Sequence, residues 1–547
     1  MAISPVYPLS NRPVAMGVNG MVAAAHPLAS QAGLRVLMRG GNAIDGAVAT
    51  AAALNVVEPY MSGMGGIGLA LVYLAGERRI RALNFSGRMP KSANTDLYTE
   101  ETKWTGILAP LVPGNVAGWL TMHGEYGTLD LEQLFEPAID YAENGFPITN
   151  LNSRVMRTAA ARLSEFPSVR LIRDGAGKPP LPGSRHRFPE LAESFRELIR
   201  GGKETFYRGA LADRIVKGNQ EWGGLFTHDD LAEYDAEWQE PISISYRGYR
   251  VHTPGPNSSG FQILQTLKCI EGFEGEDLVF QHPETLHLMA ESIKLAATDR
   301  INYGGDPDHS YIPVAGLISD EYAAAQRKRI DRESAAGVSG EQYAREVAAE
   351  ALRPGNPEPY DGGMTTHFAV ADRDGNVVSV TQTLGGGFGC GAAVGDTGIF
   401  LNNMSFWFDL VEGSPNQIGP SKRVDFCVAP TQTFKDGKFV VSMGTPGGWG
   451  ILQTTPQFLT NVLDYGMNVQ EAIEAPRMRC PQGQELHMEE RFPAHVRRAM
   501  EAKGHNVVVQ EPWSMSVGGA QAIHVDSDAG IFEGGADPRR DGGAIGW

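Results

Sequence analysis

Cysteine is scarce in this chain of 547 residues: the four present (Cys269, Cys390, Cys427, Cys480) are scattered and form no C-x-x-C spacing. That excludes a disulfide framework and a cysteine-based metal site, and fits a reducing compartment. Positive charge is also in deficit, with 47 Lys and Arg against 64 Asp and Glu and a formal charge of -17. A surface of that sign repels nucleic acid and anionic membranes, so neither is expected as a partner. Long apolar runs are missing as well. The longest, Gly46 to Val57, is bounded by Asp45 and Glu58 and is too short to span a bilayer, so it reads as a buried helix. The first 28 residues carry prolines at Pro5, Pro8 and Pro13 and lack a basic stretch followed by an apolar one, so no secretion signal is read and a cytoplasmic location is expected.

What is abundant is glycine, 66 residues, gathered in tight turns such as Gly65-Gly66, Gly385-Gly386-Gly387 and Gly447-Gly448 without a repeat period. With 42% hydrophobic residues the chain buries a large core. Apolar spacing predicts a helix, a turn at Arg39 to Asn42 and a second helix between His26 and Leu54, all core. LALVYLA and IRALNF, split by Gly76 to Arg79, read as a hairpin. Residues 129–273 read as mostly helical. Residues 334–363, rich in Pro, Gly and acidic side chains toward their end, read as a cleavable linker. Beyond it THFAVAD and VVSVTQTL, joined at Asp374-Gly375-Asn376, predict a hairpin that opens a strand-rich part at Thr365.

Gly362 to Phe368 lies between that linker and the first strand. A threonine placed there becomes N-terminal if the bond before it breaks. Its α-amine, with a pKa near ~8, then accepts the hydroxyl proton, so nucleophile and base belong to one residue and no Ser/His/Asp triad is needed. The tripeptide Thr365-Thr366-His367 by itself is also ordinary strand sequence. His26 and His367 sit in no ligand cluster and read as structural histidines, and no metal or cofactor is assigned.

Ordered motifs supply the context: HPLAS at His26, GGNAIDGAVA at Gly40, VEPYMSGMGG at Val57, VPGNVAGW at Val112, YRGYRV at Tyr246, PNSSG at Pro256 and ATDRINYGGDPD at Ala297. They continue with MTTHFAVADRDGNVVSVTQTL at Met364, TGIFLNN at Thr397, KRVDFCVAPT at Lys422, GTPGG at Gly444 and EAPRMR at Glu474. In this order they resemble the γ-glutamyltransferase family over nearly the whole chain. The resemblance implies an α+β fold, the four-layer αββα sandwich of N-terminal nucleophile hydrolases, with no cofactor. It implies one precursor cut between Met364 and Thr365 into a large subunit (1–364) and a small subunit (365–547) that stay together as one intertwined unit. A dimer of such pairs is an open assembly. By the same match Thr365 is the nucleophile, Thr383 supports its hydroxyl, and Gly447-Gly448 supply the oxyanion amides; two adjacent glycines let consecutive N–H groups approach a ligand oxygen without Cβ interference.

The donor pocket departs from the family. Ser86 stands in the arginine's place, with Arg88 two residues on; Gly385 replaces an asparagine; Met404, Trp407, Phe426 and Cys427 replace polar donor contacts. A zwitterionic glutamyl head group would leave its ammonium unpaired there, at a cost of several kcal/mol in a dry site. The expected enzyme is therefore an autoprocessing threonine amidohydrolase or acylase acting on a small amide. Its acyl group would differ from γ-glutamyl, more apolar or with one carboxylate for Arg88, in the manner of oxamate-like or cephalosporin-acylase-like amides. Glutathione hydrolysis is the alternative, and an unprocessed, non-catalytic binding protein a second.

Overall fold

The computed structural model describes residues 10–274, 278–336 and 363–547. Most of the linker read from the sequence, 337–362, lies outside them. Two seven-stranded sheets, every pairing antiparallel, form the centre of the molecule. The first runs in space Gly543–Gly546, Gly20–Ala24, Gly363–Asp372, Val377–Gly386, Ile67–Leu74, Arg79–Phe85, Glu237–Gln239. The second runs Ala15–Gly17, Ile531–Ala536, Gln521–Asp526, Lys438–Gly444, Thr431–Lys435, Tyr249–Thr253, Ile242–Tyr246.

The sheets meet through Met21, Ala23, Ala369, Ala371, Phe434, Phe439 and Ile523, all buried. Small residues on one face and phenylalanines on the other let the two pleated surfaces interdigitate. Helices Pro27–Met38 and Ala43–Val57 cover the outer face of the first sheet. Every residue of Ala43–Val57 is buried, as its Ala-rich composition requires of a helix that packs closely on all sides. Asn42 caps it with a capping box, its side chain accepting from Asp45 while the Asp45 carboxylate accepts from the Asn42 N–H. Phe261–Glu271 and Gly450–Leu463 cover the second sheet. The result is the four-layer αββα sandwich.

Three readings gain detail. Residues 129–273 are not all helical: 242–246 and 249–253 form an edge hairpin, because Ile242, Ile244, Val251 and Tyr246 alternate in the period of a strand. The strand-rich end also carries three helices, Gly450–Leu463, Val469–Glu474 and Ala494–Ala502. The strand that holds Thr365 begins at Gly363, two residues before it. This strand and its hairpin partner occupy the middle of the first sheet, between Gly20–Ala24 and Ile67–Leu74, so residues on both sides of position 364 share one hydrogen-bonded sheet.

Candidate active site

The register of the central hairpin builds the site. Met364 pairs with Gly385 and Thr365 with Thr383, so one residue is skipped and the ladder bulges at the Met364-Thr365 bond. The bulge turns both threonine hydroxyls together. Thr365 Oγ1 donates to Thr383 Oγ1 at 3.3 Å, Thr383 Oγ1 donates to the Met364 carbonyl at 2.9 Å, and the Gly385 N–H donates to Thr383 Oγ1 at 2.7 Å. A continuous relay thus runs from the Thr365 hydroxyl to the carbonyl oxygen beside it. The Thr383 proton polarises the Met364 carbonyl, in the way an oxyanion donor does. Thr383→Val removes that donor while keeping the shape; chain cleavage, followed as a time course on denaturing gels, is expected to slow roughly 100-fold.

Glycines crowd this end of the strand for a steric reason. Gly385, at φ 98°, lies so close to Asn403 that a Cβ would sit 2.3 Å from its Oδ1. Asn403 in turn accepts from the Gly386 N–H and donates to the Trp104 carbonyl, both at 2.7 Å. The asparagine expected at position 385 has no room; Asn403 fills the space and fixes the turn.

Alternation sends Thr365 and His367 toward the second sheet, and Thr366 toward the helices. His367 lies against Gly444, whose added Cβ would be 2.4 Å from the ring, and its Nδ1 pairs with Thr381 Oγ1 at 2.8 Å. Burial lowers its pKa to about 3, so it is a neutral structural side chain. His26 is structural too, its Nδ1 accepting the Leu28 N–H at the start of a helix. The His367–Gly444 contact joins the turn at Gly444–Gly448 to the Thr365 end of the strand. Gly447 and Gly448 have φ of 138° and 57°, and their carbonyls accept from the Gly450 and Ile451 N–H groups that open the helix Gly450–Leu463. Among the described residues their own N–H groups have no protein acceptor, which leaves two adjacent amides at a helix N-terminus open to an anionic oxygen.

Two charged residues at the site carried no role in the sequence reading. Arg540 Nη1 donates to the Thr365 carbonyl at 3.3 Å, and Thr366 Oγ1 donates to Glu58 Oε2 at 3.1 Å. Glu58 lies inside the VEPYMSGMGG motif, where a carboxylate at the end of an otherwise apolar buried helix was the available signal; Arg540 lies outside every motif read from the sequence. Burial pushes the Glu58 carboxyl up to about 7, against the opposing pull of Arg540 and of the Thr366 hydroxyl. A carboxyl whose pKa is raised on folding binds more protons folded than unfolded, so its contribution to stability falls as pH rises from about 4.5 to about 7. Glu58→Gln is therefore expected to flatten the loss of stability over that window, by on the order of 3 kcal/mol, measured by denaturant unfolding at a series of pH values.

The donor-pocket candidates do not all converge. Ser86 falls in the same lateral row as Thr365, three strands away by register, or roughly 14 Å at ~4.8 Å per strand. It is buried, bonded through Oγ to the Asn257 side chain and through its N–H to Asn84. Arg88 does not stand ready for a substrate carboxylate. Its guanidinium pairs with Asp308 at 3.0 Å and Glu237 at 3.3 Å and donates to the Ser421 carbonyl. Met404 and Phe426 are wholly buried; Phe426 is held by backbone bonds to Asn257 and Ser259. Cys427 is buried as a thiol whose pKa burial raises. Trp407 is partly exposed and packs edge-on against Trp449, the residue after Gly448, with ring centroids 4.6 Å apart. Asn403, Met404 and Phe406 lie against Gly385, Trp407 packs on Phe406 with ring centroids 4.4 Å apart, and Trp449 on Trp407, so a largely apolar, aromatic row leads away from Gly385.

His287, Glu291 and His505 are brought together as potential metal ligands. His287 Nδ1 and His505 Nε2 bond each other at 2.9 Å, and Glu291 pairs with Lys294 at 2.7 Å. A neighbouring ammonium already neutralises the carboxylate, which disfavours a cation there. Among the described residues no helix is long and apolar enough to cross a membrane.

Comparison with known proteins gives a consistent picture. Residues 29–547 match the family model described as gamma-glutamyltranspeptidase. The chain is 37% identical over 539 residues to the glutathione hydrolase-like YwrD proenzyme of Bacillus subtilis (strain 168), covering 97% of this chain and 99% of that one. It is also 37% identical over 546 residues to the acylase ACY 1 proenzyme of Pseudomonas sp. (strain SE83), covering 96% and 93%. Among solved structures, cephalosporin acylase from Bacillus halodurans superposes with a TM-score of 0.89 at 35% identity, covering 100% of this chain and 98% of that one.

Proposed function

Because the chain belongs to the gamma-glutamyltranspeptidase family, we propose that Thr365 is its nucleophile and that its donor is an amide without the zwitterionic γ-glutamyl head group. It is an autoprocessing amide hydrolase, of the amidohydrolase or acylase kind that its proenzyme relatives represent. The observation that carries the nucleophile is the relay from Thr365 through Thr383 to the Met364 carbonyl, at the one bulged position of the central hairpin.

Processing follows from that geometry. Thr365 Oγ adds to the Met364 carbonyl carbon, the C–N bond breaks, and the nitrogen takes a proton to become an α-amine. The resulting ester is opened by water, leaving residues 1–364 and 365–547 as two chains of one folded unit. In turnover the α-amine takes the hydroxyl proton, Thr365 Oγ attacks the donor carbonyl, and the amides of Gly447 and Gly448 hold the oxyanion. The amine then protonates the leaving nitrogen, and water releases the acyl group.

The donor reading is supported by two observations: Ser86 and Arg88 are tied to protein partners, and the row of side chains that starts at Gly385 is aromatic and largely apolar. Intact-mass measurement of purified protein is expected to give two chains, the second beginning at Thr365. A panel of anilides is expected to show faster turnover of non-glutamyl acyl groups than of γ-glutamyl anilide or glutathione. A single uncut chain after long incubation contradicts the nucleophile. Comparable turnover of γ-glutamyl donors contradicts the pocket reading.

A further inference from the structure

The strand Gly20–Ala24 pairs with the strand of Thr365 only from Phe368 onward. Beyond that end a side chain takes up the Thr365 carbonyl: Arg540 Nη1 donates to it at 3.3 Å. Arg540 lies in the turn before the strand Gly543–Gly546 and is 6% exposed. The same nitrogen meets the Met61 sulfur at 3.4 Å, and Nε is buried without a partner. Glu58, Tyr60 and Asp537 act on the guanidinium through space, and among the described residues no carboxylate accepts a hydrogen bond from it. A buried cation of this kind is unfavourable for folding, and its one oxygen partner is the backbone of Thr365.

The nitrogen and oxygen of one residue are held at most ~3.6 Å apart by the bonds between them, so Arg540 Nη1 lies within roughly 7 Å of the Thr365 nitrogen. In the uncut chain that nitrogen is an uncharged amide. Once the Met364-Thr365 bond is broken it is an α-amine, which ordinarily titrates near ~8 and at pH 7 is only about one-tenth free base. A cation at that distance disfavours the ammonium form by roughly one pH unit, which brings the free base to about half. A base is most effective when it titrates near the working pH.

The opposing charge is Glu58. It accepts from Thr366 Oγ1 through Oε2 and leaves Oε1 buried without a partner, so it reaches the amine only by way of the next side chain. Burial keeps the Tyr60 hydroxyl and the His367 ring uncharged. Asp541 is bonded to Thr149, and burial raises its carboxyl. Arg162 spends its guanidinium on the carbonyls of Gly387 and Gly389, on the Met364 side.

We propose that Arg540 is a positioning residue of the processed enzyme: it holds the Thr365 carbonyl and, by its charge, keeps the new α-amine in the neutral form that takes the hydroxyl proton, with Glu58 as the opposing charge. This rests on the reading of Thr365 as nucleophile and adds what sets the strength of its base.

Competitive labelling with acetic anhydride at a series of pH values, followed by mass spectrometry of the peptide that begins at Thr365, measures protonation of that amine without a substrate. The wild-type midpoint is expected about one pH unit below the ordinary ~8. Arg540→Gln raises it by about one unit, Arg540→Lys keeps the charge and stays near wild type, and Glu58→Gln lowers it. Loosened packing alone does not give shifts of opposite sign in the two glutamine variants. A wild-type midpoint at the ordinary value, no shift in Arg540→Gln, or shifts of the same sign in both overturns the proposal and leaves the nucleophile standing. Should Arg540→Gln stay whole, the other two variants decide: a wild-type midpoint in Arg540→Lys with a lowered one in Glu58→Gln supports the proposal, and a raised midpoint in the first or an unmoved one in the second overturns it. A wild type that stays whole overturns the nucleophile, and this role with it.

Discussion

A Thr365→Ala chain is expected to stay whole, giving one full-length band on a denaturing gel however long it is incubated, and to lose turnover by roughly a million-fold, as removal of a nucleophile does elsewhere. The physical case is that no neighbour substitutes for it. Thr383 Oγ1 already donates to the Met364 carbonyl and accepts from the Gly385 N–H, so it lies in the carbonyl's hydrogen-bonding position and not above its carbon. Thr366 points to the other face of the strand, toward Glu58. His367 is buried and neutral. Thr365→Ser keeps the hydroxyl and loses only the methyl, so it should still cut, more slowly. Cleavage of the Thr365→Ala chain at Met364 would refute the assignment.

The largest expected effect on stability comes from Asp537, which lies six residues before the strand Gly543–Gly546 and three before Arg540. Arg477, Asp537, Arg539 and Glu489 form a buried network. Asp537 accepts from Arg477, from Arg539 Nη1 at 3.2 Å and from the Ala520 N–H at 3.1 Å, while Arg539 Nε reaches Glu489 at 2.7 Å. Burial opposes ionisation of Asp537, yet Arg477 and Arg539 hold its carboxyl below the usual range. Asp537→Ala leaves Arg477 without its carboxylate in a site of zero exposure. Breaking a buried pair in that way costs about 3–5 kcal/mol. Chemical denaturation should show that loss at neutral pH. Because the folded pKa is depressed, the contribution is present above the unfolded value and disappears as pH falls through the folded one, so the variant and wild type should converge in strong acid. Gly519, against which Arg540 packs, is tied through Ala520 to the same network, so slower chain cleavage should accompany the instability.

Much of this was legible in one dimension. The buried helix 43–57, the hairpins at 67–85 and 363–386, and the turn at Gly447-Gly448 follow from period and turn chemistry, which are local properties. The edge hairpin at 242–253 was missed because it is short and embedded among helices, where a five-residue alternation is weak against the surrounding pattern. The threonine pair was legible through motif order. Its geometry was not, since the one-residue slip between Met364 and Thr365 depends on which residues face each other across the sheet.

Side-chain commitments divide the two sources of knowledge most sharply. From sequence, Arg88 is a candidate partner for a substrate carboxylate, two places after the Ser86 that stands in the family arginine's place. In the fold Asp308 and Glu237, over 140 residues from Arg88 in sequence, neutralise it. The sequence alone determined the family, and through that resemblance the four-layer fold, because ordered motifs are written along the chain; the proposal that Thr365 is the nucleophile rests on the same motifs. Only the tertiary structure decided which charges are already paired. Pairing depends on distance and desolvation between segments far apart in sequence, and no local pattern encodes either.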